Sequence, residues 1–444
     1  MATIDISFKR IQQLAIPAII AGIAEPILSS TDAAVVGNIK TYATESLAAI
    51  GIVGSFLSML IWVLGQTRSA IATIIAQSLG AGKIDSIKML PAQAIYFNVL
   101  LSFIVLGGTY FFVEEIFMFF NAKGLVLSLS IEYYNIRVWG FPLTLFTFAV
   151  FGIFRGYQNT FWPMLVAASG AIINIGLDFL LVYGVEGFIP VMGVKGAAWA
   201  SLISQAIMAL LALLFLLKKT PVSLRLQFPL HPEIKRLVTM SLNLFVRAFA
   251  LNVALVLAVK EATALGTEVI AAHTIAVNIW LFTAFFIDGY GAAGNVLSGR
   301  LLGAKNYKSL WVLTKRVNIY NLLICLLLML LASIFYNASG QLFSKEQGVL
   351  EIFYKVFFIV ILVQPLNSIA FTLDAIFKGL GEMAYLRNAL LIATFLGFVP
   401  VIYLARELNW GLQGIWIAFV VWLFLRAFIL VLKYKTKYYA LAKD

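Results

Sequence analysis

The sequence predicts an all-α membrane protein: twelve transmembrane helices in two six-helix bundles related by pseudo-two-fold symmetry. Composition, the length of the apolar runs and an internal repeat carry that expectation. Of 444 residues, 62% are hydrophobic and only 12% charged, and the mean hydropathy is +0.97. A soluble domain is about half apolar and about a quarter charged, and its surface is already largely apolar. A water-soluble fold therefore has no room for the excess, which excludes a soluble enzyme.

A spanning helix needs about 20 mostly apolar residues. Runs of that kind lie near 11–37, 46–79, 91–113, 131–154, 161–184, 194–217, 237–259, 268–302, 310–336, 352–377, 386–405 and 412–432. They are continuous and do not alternate with period two, so helices are expected and not a barrel. The second and eighth exceed the bilayer core and should tilt or protrude. Lys9 and Arg10 precede the first run as in a secretory signal. That run is too long for one and carries Glu25 and Asp32, so it reads as a retained span.

Placing the N-terminus inside assigns 21 Lys and Arg to cytoplasmic loops and tails and 6 to outer loops. Both termini are then expected in the cytoplasm of a cell whose plasma membrane holds the chain. The net charge of +12 becomes a topology signal, and no nucleic-acid partner is expected. A lone Cys325 and two histidines, His231 and His273, speak against a disulfide framework and a histidine metal site. LGAGK at 79–83 lacks the spacing of a phosphate-binding loop, and no nucleophile elbow or HExxH occurs. No cofactor and no catalytic residue is expected.

An offset of 223 residues superposes the two halves. Glu45 meets Glu268, and Leu79-Gly80-Ala81 meets Leu302-Gly303-Ala304. Pro142 meets Pro365, and Phe154-Arg155-Gly156 meets Phe377-Lys378-Gly379. At a shorter offset, Gly193 and Gly196 meet Gly411 and Gly414. The expected division is an N-terminal six-helix lobe over 1–217, a linker over 218–236 and a C-terminal lobe with its tail over 237–444. Paired bundles of this kind place a carrier's substrate site between lobes.

A carboxylate at mid-bilayer costs roughly 2.5–3.5 kcal/mol even on the permissive insertion scale. Glu25, Asp32, Asp178, Asp288 and Asp374 all fall inside predicted spans, where each is placed to exchange a proton or bind a cation. Asn174 and Asp178 are four apart and share a helix face, and Asp32 is expected to converge with them. The alternative is a structural network that tethers helices. Pro17 and Pro26 remove backbone hydrogen bonds from the first span and permit a bend. Arg247, Asp288 and Asp374 are candidates for mutual pairing, either as a static cluster or as a transport site, with Asn367 on the face of Asp374. His273 is placed to titrate near neutrality or to serve as a helix contact. Tyr134, Trp139 and Tyr183 are candidates to line a cavity for organic cations.

These segments in order resemble the MATE family of multidrug and toxin extrusion transporters, most closely its DinF-like branch. The resemblance rests on PAIIAGIAEPILSSTDAAVVGNI at 17–39, AQSLGAGK at 76–83 and NIGLDFLLVYG at 174–184. In the second half it rests on FIDGYGAAGNVLSGRLLGAKN at 286–306 and QPLNSIAFTLDAIFKGLGE at 364–382. It implies a monomeric antiporter, a V-shaped pair of six-helix bundles that exports amphiphilic organic cations by alternating access, coupled to H⁺ or Na⁺. The family's first-helix aspartate maps onto Asp32 and its fifth-helix Asn and Asp onto Asn174 and Asp178, the set that would hold Na⁺. The bending proline maps onto Pro17, and the eighth- and tenth-helix aspartates onto Asp288 and Asp374. Glu25 departs from the family pattern and adds a titratable group. The seventh-helix glutamate of another branch is absent from 237–259. Two alternatives stand beside this reading: a lipid-linked-precursor flippase, which requires a cationic groove for phosphate, and a passive channel.

Overall fold

The computed structural model describes residues 4–39 and 42–443; the side chains of residues 25, 26, 29 and 30 lie outside the description. Among the described residues, twelve helical spans follow one another. They are α1 (Phe8–Gly37), α2 (Ala43–Gly80), α3 (Ile84–Tyr110), α4 (Gly124–Arg137, continuing after a bend as Gly140–Gly156), α5 (Phe161–Tyr183) and α6 (Val194–Lys219). The second half repeats the series as α7 (Glu233–Ala264), α8 (Thr267–Gly303), α9 (Tyr307–Ile334), α10 (Gln347–Leu362 and Gln364–Gly379), α11 (Met383–Glu407) and α12 (Gly411–Lys443). Among the described residues, nine helices are long and apolar enough to cross a membrane, and eleven when each bent pair counts as one span. With 30 residues α1 also exceeds the length required. The only extended pairing among the described residues is the isolated Val185–Ile189 bridge.

The repeat is visible in the element boundaries. α2 ends at Gly80 and α8 at Gly303, and both run past the bilayer core at 38 and 37 residues. α3 begins at Ile84 and α9 at Tyr307, and a short helix follows each, Val113–Phe119 and Tyr336–Gln341. α4 bends by 47° and α10 by 50°. Pro142 and Pro365 open the second arm of these two spans. Each lacks the N–H that would bond back across the break, so the bend follows from the sequence. Gly193 and Gly411, at the starts of α6 and α12, both take positive φ, 53° and 55°.

The chain divides into two compact units. One comprises residues 20–75 and 83–241, the other 1–19, 76–82 and 242–444. They are called the N-unit and the C-unit. The affiliation of α1 changes two residues after Pro17, where the helix lacks a backbone hydrogen bond.

Within the N-unit, Val35, Val53, Phe56, Phe117, Tyr133, Tyr134 and Val182 form a buried core. The C-unit core gathers Phe353, Phe357, Trp416, Phe419 and Trp422 around a stripe of small residues on α7, Ala250, Ala254, Ala258 and Ala262. Outward faces stay apolar, as on α9, where Leu323, Leu327 and Leu330 are exposed. Such a surface suits lipid and not water.

Two glycine pairs explain motifs of the repeat. A Cβ on Gly80 would lie 1.9 Å from the Arg300 carbonyl oxygen, and one on Gly303 2.0 Å from that of Gln77. The two Leu-Gly-Ala triplets are thus where helix ends cross with backbones in contact inside the C-unit, and Gln77 Nε2 adds a 2.8 Å bond to the Gly379 carbonyl. Gly156 packs on Ala72 and Ile75 of α2 as Gly379 packs on Asn295 and Ser298 of α8. The partners are again 223 residues apart.

Candidate functional site

In the N-unit, Asp32 of α1, Asn174 and Asp178 of α5 and Ser201 of α6 come together. All four are buried, with Asp178 fully so and Asp32 7% exposed. The (i, i+4) spacing turns Asn174 and Asp178 onto one face of α5. Asp32 Oδ2 accepts a 3.3 Å bond from Ser201 Oγ. Its Oδ1, both Asp178 carboxyl oxygens and Asn174 Nδ2 have no hydrogen-bond partner. The Asp32 and Asp178 carboxyls interact directly, close enough to share a proton, and Arg137 of α4 acts electrostatically on Asp178. Tyr133 lies under the Arg137 guanidinium at 5.9 Å and interacts electrostatically with both aspartates.

Roughly nine in ten buried polar groups in proteins have a partner, so unsatisfied oxygens on two facing carboxyls are exceptional. A proton would let one acid donate to the other; Na⁺, a hard cation, would find carboxylate, amide and hydroxyl oxygens. Among the described residues no three His, Cys, Asp or Glu gather as a metal centre. The donor set is therefore this oxygen-rich pair with its amide and hydroxyl.

The C-unit carries a cluster of opposite sign. Arg247 of α7 donates from Nε and Nη2 to Asp374 Oδ1 of α10, at 3.0 and 2.6 Å. Lys378, one turn on, reaches Asp374 Oδ2 at 3.1 Å. Arg426 of α12 comes within 3.8 Å of Oδ1, 2% exposed, with neither Nη atom hydrogen-bonded. Asp288 of α8, on an exposed edge, interacts electrostatically with Lys378 and Arg426. Three cations thus meet one buried carboxylate. The expected Arg247–Asp374 pair forms, and Asp288 joins the cluster through the two other cations.

Other sequence-derived candidates fall outside these clusters. Tyr134 is not on a cavity wall: it packs against Phe56 and Phe117 in the N-unit core and donates to Thr109 Oγ1. Trp139 occupies the α4 break, 51% exposed, beside Tyr110. Tyr183 donates 2.7 Å to the Val35 carbonyl, which ties α5 to α1. Asn367 is buried, with Nδ2 3.4 Å from Gln364 Oε1. His273 neither faces water nor is satisfied as a helix contact. Its ring lies beside Trp416 and Phe419, and both nitrogens lack a partner. Pro17 sits inside α1; the side chains of Glu25 and Pro26 lie outside the described part.

Ser201, Tyr133, Lys378 and Arg426 were not singled out by sequence reasoning. Lys378 corrects the charge tally: it was counted with the cytoplasmic loops, yet its side chain folds back to Asp374. The (i, i+4) spacing of Asp374 and Lys378 was the signal that could have found it. Arg426, inside an apolar run, carried the same warning as the buried aspartates.

A six-helix repeat in a polytopic membrane protein, with a buried polar cluster in each unit, is an architecture of membrane transporters. The MatE family model matches residues 17–180 and 245–404, and the chain belongs to that family; its members are transporters and not enzymes. The chain is 30% identical over 338 residues to Protein DETOXIFICATION 43 of Arabidopsis thaliana, an alignment that takes in 73% of this chain but only 62% of that longer protein. It is 27% identical to a probable multidrug resistance protein NorM of Photorhabdus laumondii, over 97% of this chain and 95% of the other. A crystal structure of MATE in the bent conformation shares the fold at a TM-score of 0.90 and 23% identity, over 98% of this chain and 96% of that one.

Proposed function

We propose that the chain is an H⁺- or Na⁺-coupled antiporter that exports amphiphilic organic compounds, cations among them, from the cell by alternating access. The observation that carries this reading is the Asp32–Asp178 pair, two facing buried carboxyls with unpartnered oxygens inside membrane spans. With both ionised, mutual repulsion at low dielectric favours taking up a positive species. Asn174 and Ser201 complete the oxygen set for Na⁺ or steady a shared proton. Arg137 balances the remaining charge when one acid is neutral.

In the proposed cycle, a proton or Na⁺ enters from outside, neutralises the pair and displaces the substrate. The first helix then bends at Pro17, where α1 changes unit. A bound organic cation competes for the same charge, which couples ion entry to substrate exit. The protein is placed in the plasma membrane as a monomer with both termini cytoplasmic, and the excess of basic residues in the inside loops supports that orientation. The detoxification and multidrug-resistance names of its relatives support organic export.

The test is export of a fluorescent organic cation from proteoliposomes under a proton gradient and, separately, a sodium gradient. Wild type should respond to one of them, and Asp32→Asn should lose the gradient dependence. Undiminished gradient-driven export by Asp32→Asn would remove the pair from coupling.

A further inference from the structure

We propose that the C-unit holds a binding site for a small soluble organic anion, with a carboxylate or phosphate group seated on Arg426 and flanked by Arg247 and Lys378. The inference does not depend on the coupling reading, because it concerns different residues in the other unit.

The argument begins with charge balance. Asp374 is saturated: its Oδ1 accepts from Arg247 twice and its Oδ2 faces the Lys378 ammonium. Nothing comparable remains for Arg426, whose Nη2 stands off at 3.8 Å. Leaving both Nη groups of a buried guanidinium without hydrogen-bond acceptors is costly, and proteins seldom leave buried polar atoms unmatched. With all five groups ionised, three cations against Asp374 and the exposed-edge Asp288 leave the cluster one charge positive. A group bearing two negative oxygens would supply Arg426 with the bidentate partner its planar fork is shaped to take.

The surroundings hold Arg426 ready and do not let it fold away. Its guanidinium lies over the rings of Trp422 and Phe371, at 4.5 and 4.9 Å. Trp422 is fixed in turn by a 3.0 Å bond from Nε1 to Thr394 Oγ1. Thr394 lies in a π-helical turn, Ala393–Phe398, of the kind that recurs at functional sites. That turn packs on the α12 face bearing Leu425, whose side chain a Cβ at Gly397 would meet at 2.4 Å. A pre-oriented, stacked arginine whose two Nη groups lack hydrogen-bond acceptors is suited to hold an oxyanion.

The same arrangement says what the site refuses. Organic cations are repelled by its net charge, so the two units sort ligands by sign. Asp288 is on the exposed edge, interacts with Lys378 and Arg426, and acts as a gatekeeper that weakens anion entry.

The test uses purified full-length protein in neutral detergent, titrated with succinate and with phenyl phosphate against chloride at matched ionic strength, and read by thermal unfolding. Expected is a saturable, concentration-dependent rise in Tm for the two organic anions and none for chloride. Arg426→Gln should lose that rise. Asp288→Asn removes the opposing charge and should bind the same anions several-fold more tightly, which gives a gain-of-binding readout if Arg426→Gln fails to fold. Neutral nanodiscs with and without phosphatidylglycerol form a second arm. No response beyond chloride, or an equal response in Arg426→Gln, overturns the proposal. A response to phosphatidylglycerol alone overturns the soluble ligand and assigns the cluster to a lipid headgroup. Absence of gradient-driven export by the wild type, or undiminished export by Asp32→Asn, with these binding results intact would count against the coupling reading alone.

Discussion

The two units share a backbone and not a charge pattern. Gly156 on Ile75 and Gly379 on Ser298 are equivalent contacts, and the bends of α4 and α10 agree within a few degrees. Yet the residue 223 positions after Asp32 is Leu255, and the one 223 before Asp374 is Phe151. One unit buries two carboxyls facing each other; the other buries a carboxylate under three cations. Packing constrains where helices can approach, so small residues persist in both copies. Charge is not fixed by that packing, and there the copies have diverged. A duplicated scaffold can thus carry two sites of opposite sign.

The largest effect that can break this comparison is Asp374→Asn. Removing the buried carboxylate on which Arg247, Lys378 and Arg426 converge should destabilise by about 3–5 kcal/mol, read as a large fall in Tm in detergent. An unchanged Tm would mean that the cluster is not held by that charge. The glycines come next: Gly379→Ala and Gly156→Ala should both cost about 1–3 kcal/mol by overpacking. Gly379 should be the more sensitive, because its Cβ would lie 2.0 Å from the Asn295 carbonyl oxygen, against 2.6 Å from the Ile75 side chain for Gly156. A cost in one unit and none in the other would contradict the structural equivalence.

Asp178→Asn tests the contrast in sign. Neutralising one of two facing acids relieves repulsion, so Tm should hold or rise while gradient-driven export is lost. A fall as deep as that of Asp374→Asn would make the acid pair structural. The smallest effect lies outside the membrane spans, at Glu382. Burial pushes its carboxyl up, but hydrogen bonds from the Lys437 ammonium and the Tyr438 hydroxyl outweigh it and hold the group below its usual value. Its contribution to stability is therefore full above the unfolded pKa, near 4.5, and is lost as pH falls through the lower folded value. Glu382→Gln should lower Tm at pH 7 and match wild type near the acid limit. A difference that persists unchanged at low pH would exclude that ion pair as its source.

Much of this was legible in the chain. Apolar runs of spanning length, the glycine and proline offsets and the Asn174–Asp178 spacing are local or periodic features that a linear reading captures. Tyr134 was not legible for a physical reason: ring chemistry is the same on a core face and a cavity wall, and only packing shows that it is held by Phe56 and Phe117. His273 was ambiguous on the same grounds.

By itself the sequence determined that the chain is a membrane protein of about twelve helices, that it is a doubled six-helix unit and that Asp32, Asp178 and Asp374 are buried at a cost, whereas Asp288 proved exposed. Hydropathy and period act along the chain and need no partner. Only the tertiary structure decided that Ser201 serves Asp32, that Gly80 meets the end of α8, and that Arg426 is left without an acceptor beside Asp374. Such partners come from helices far apart in sequence, and which charges meet depends on how those helices pack.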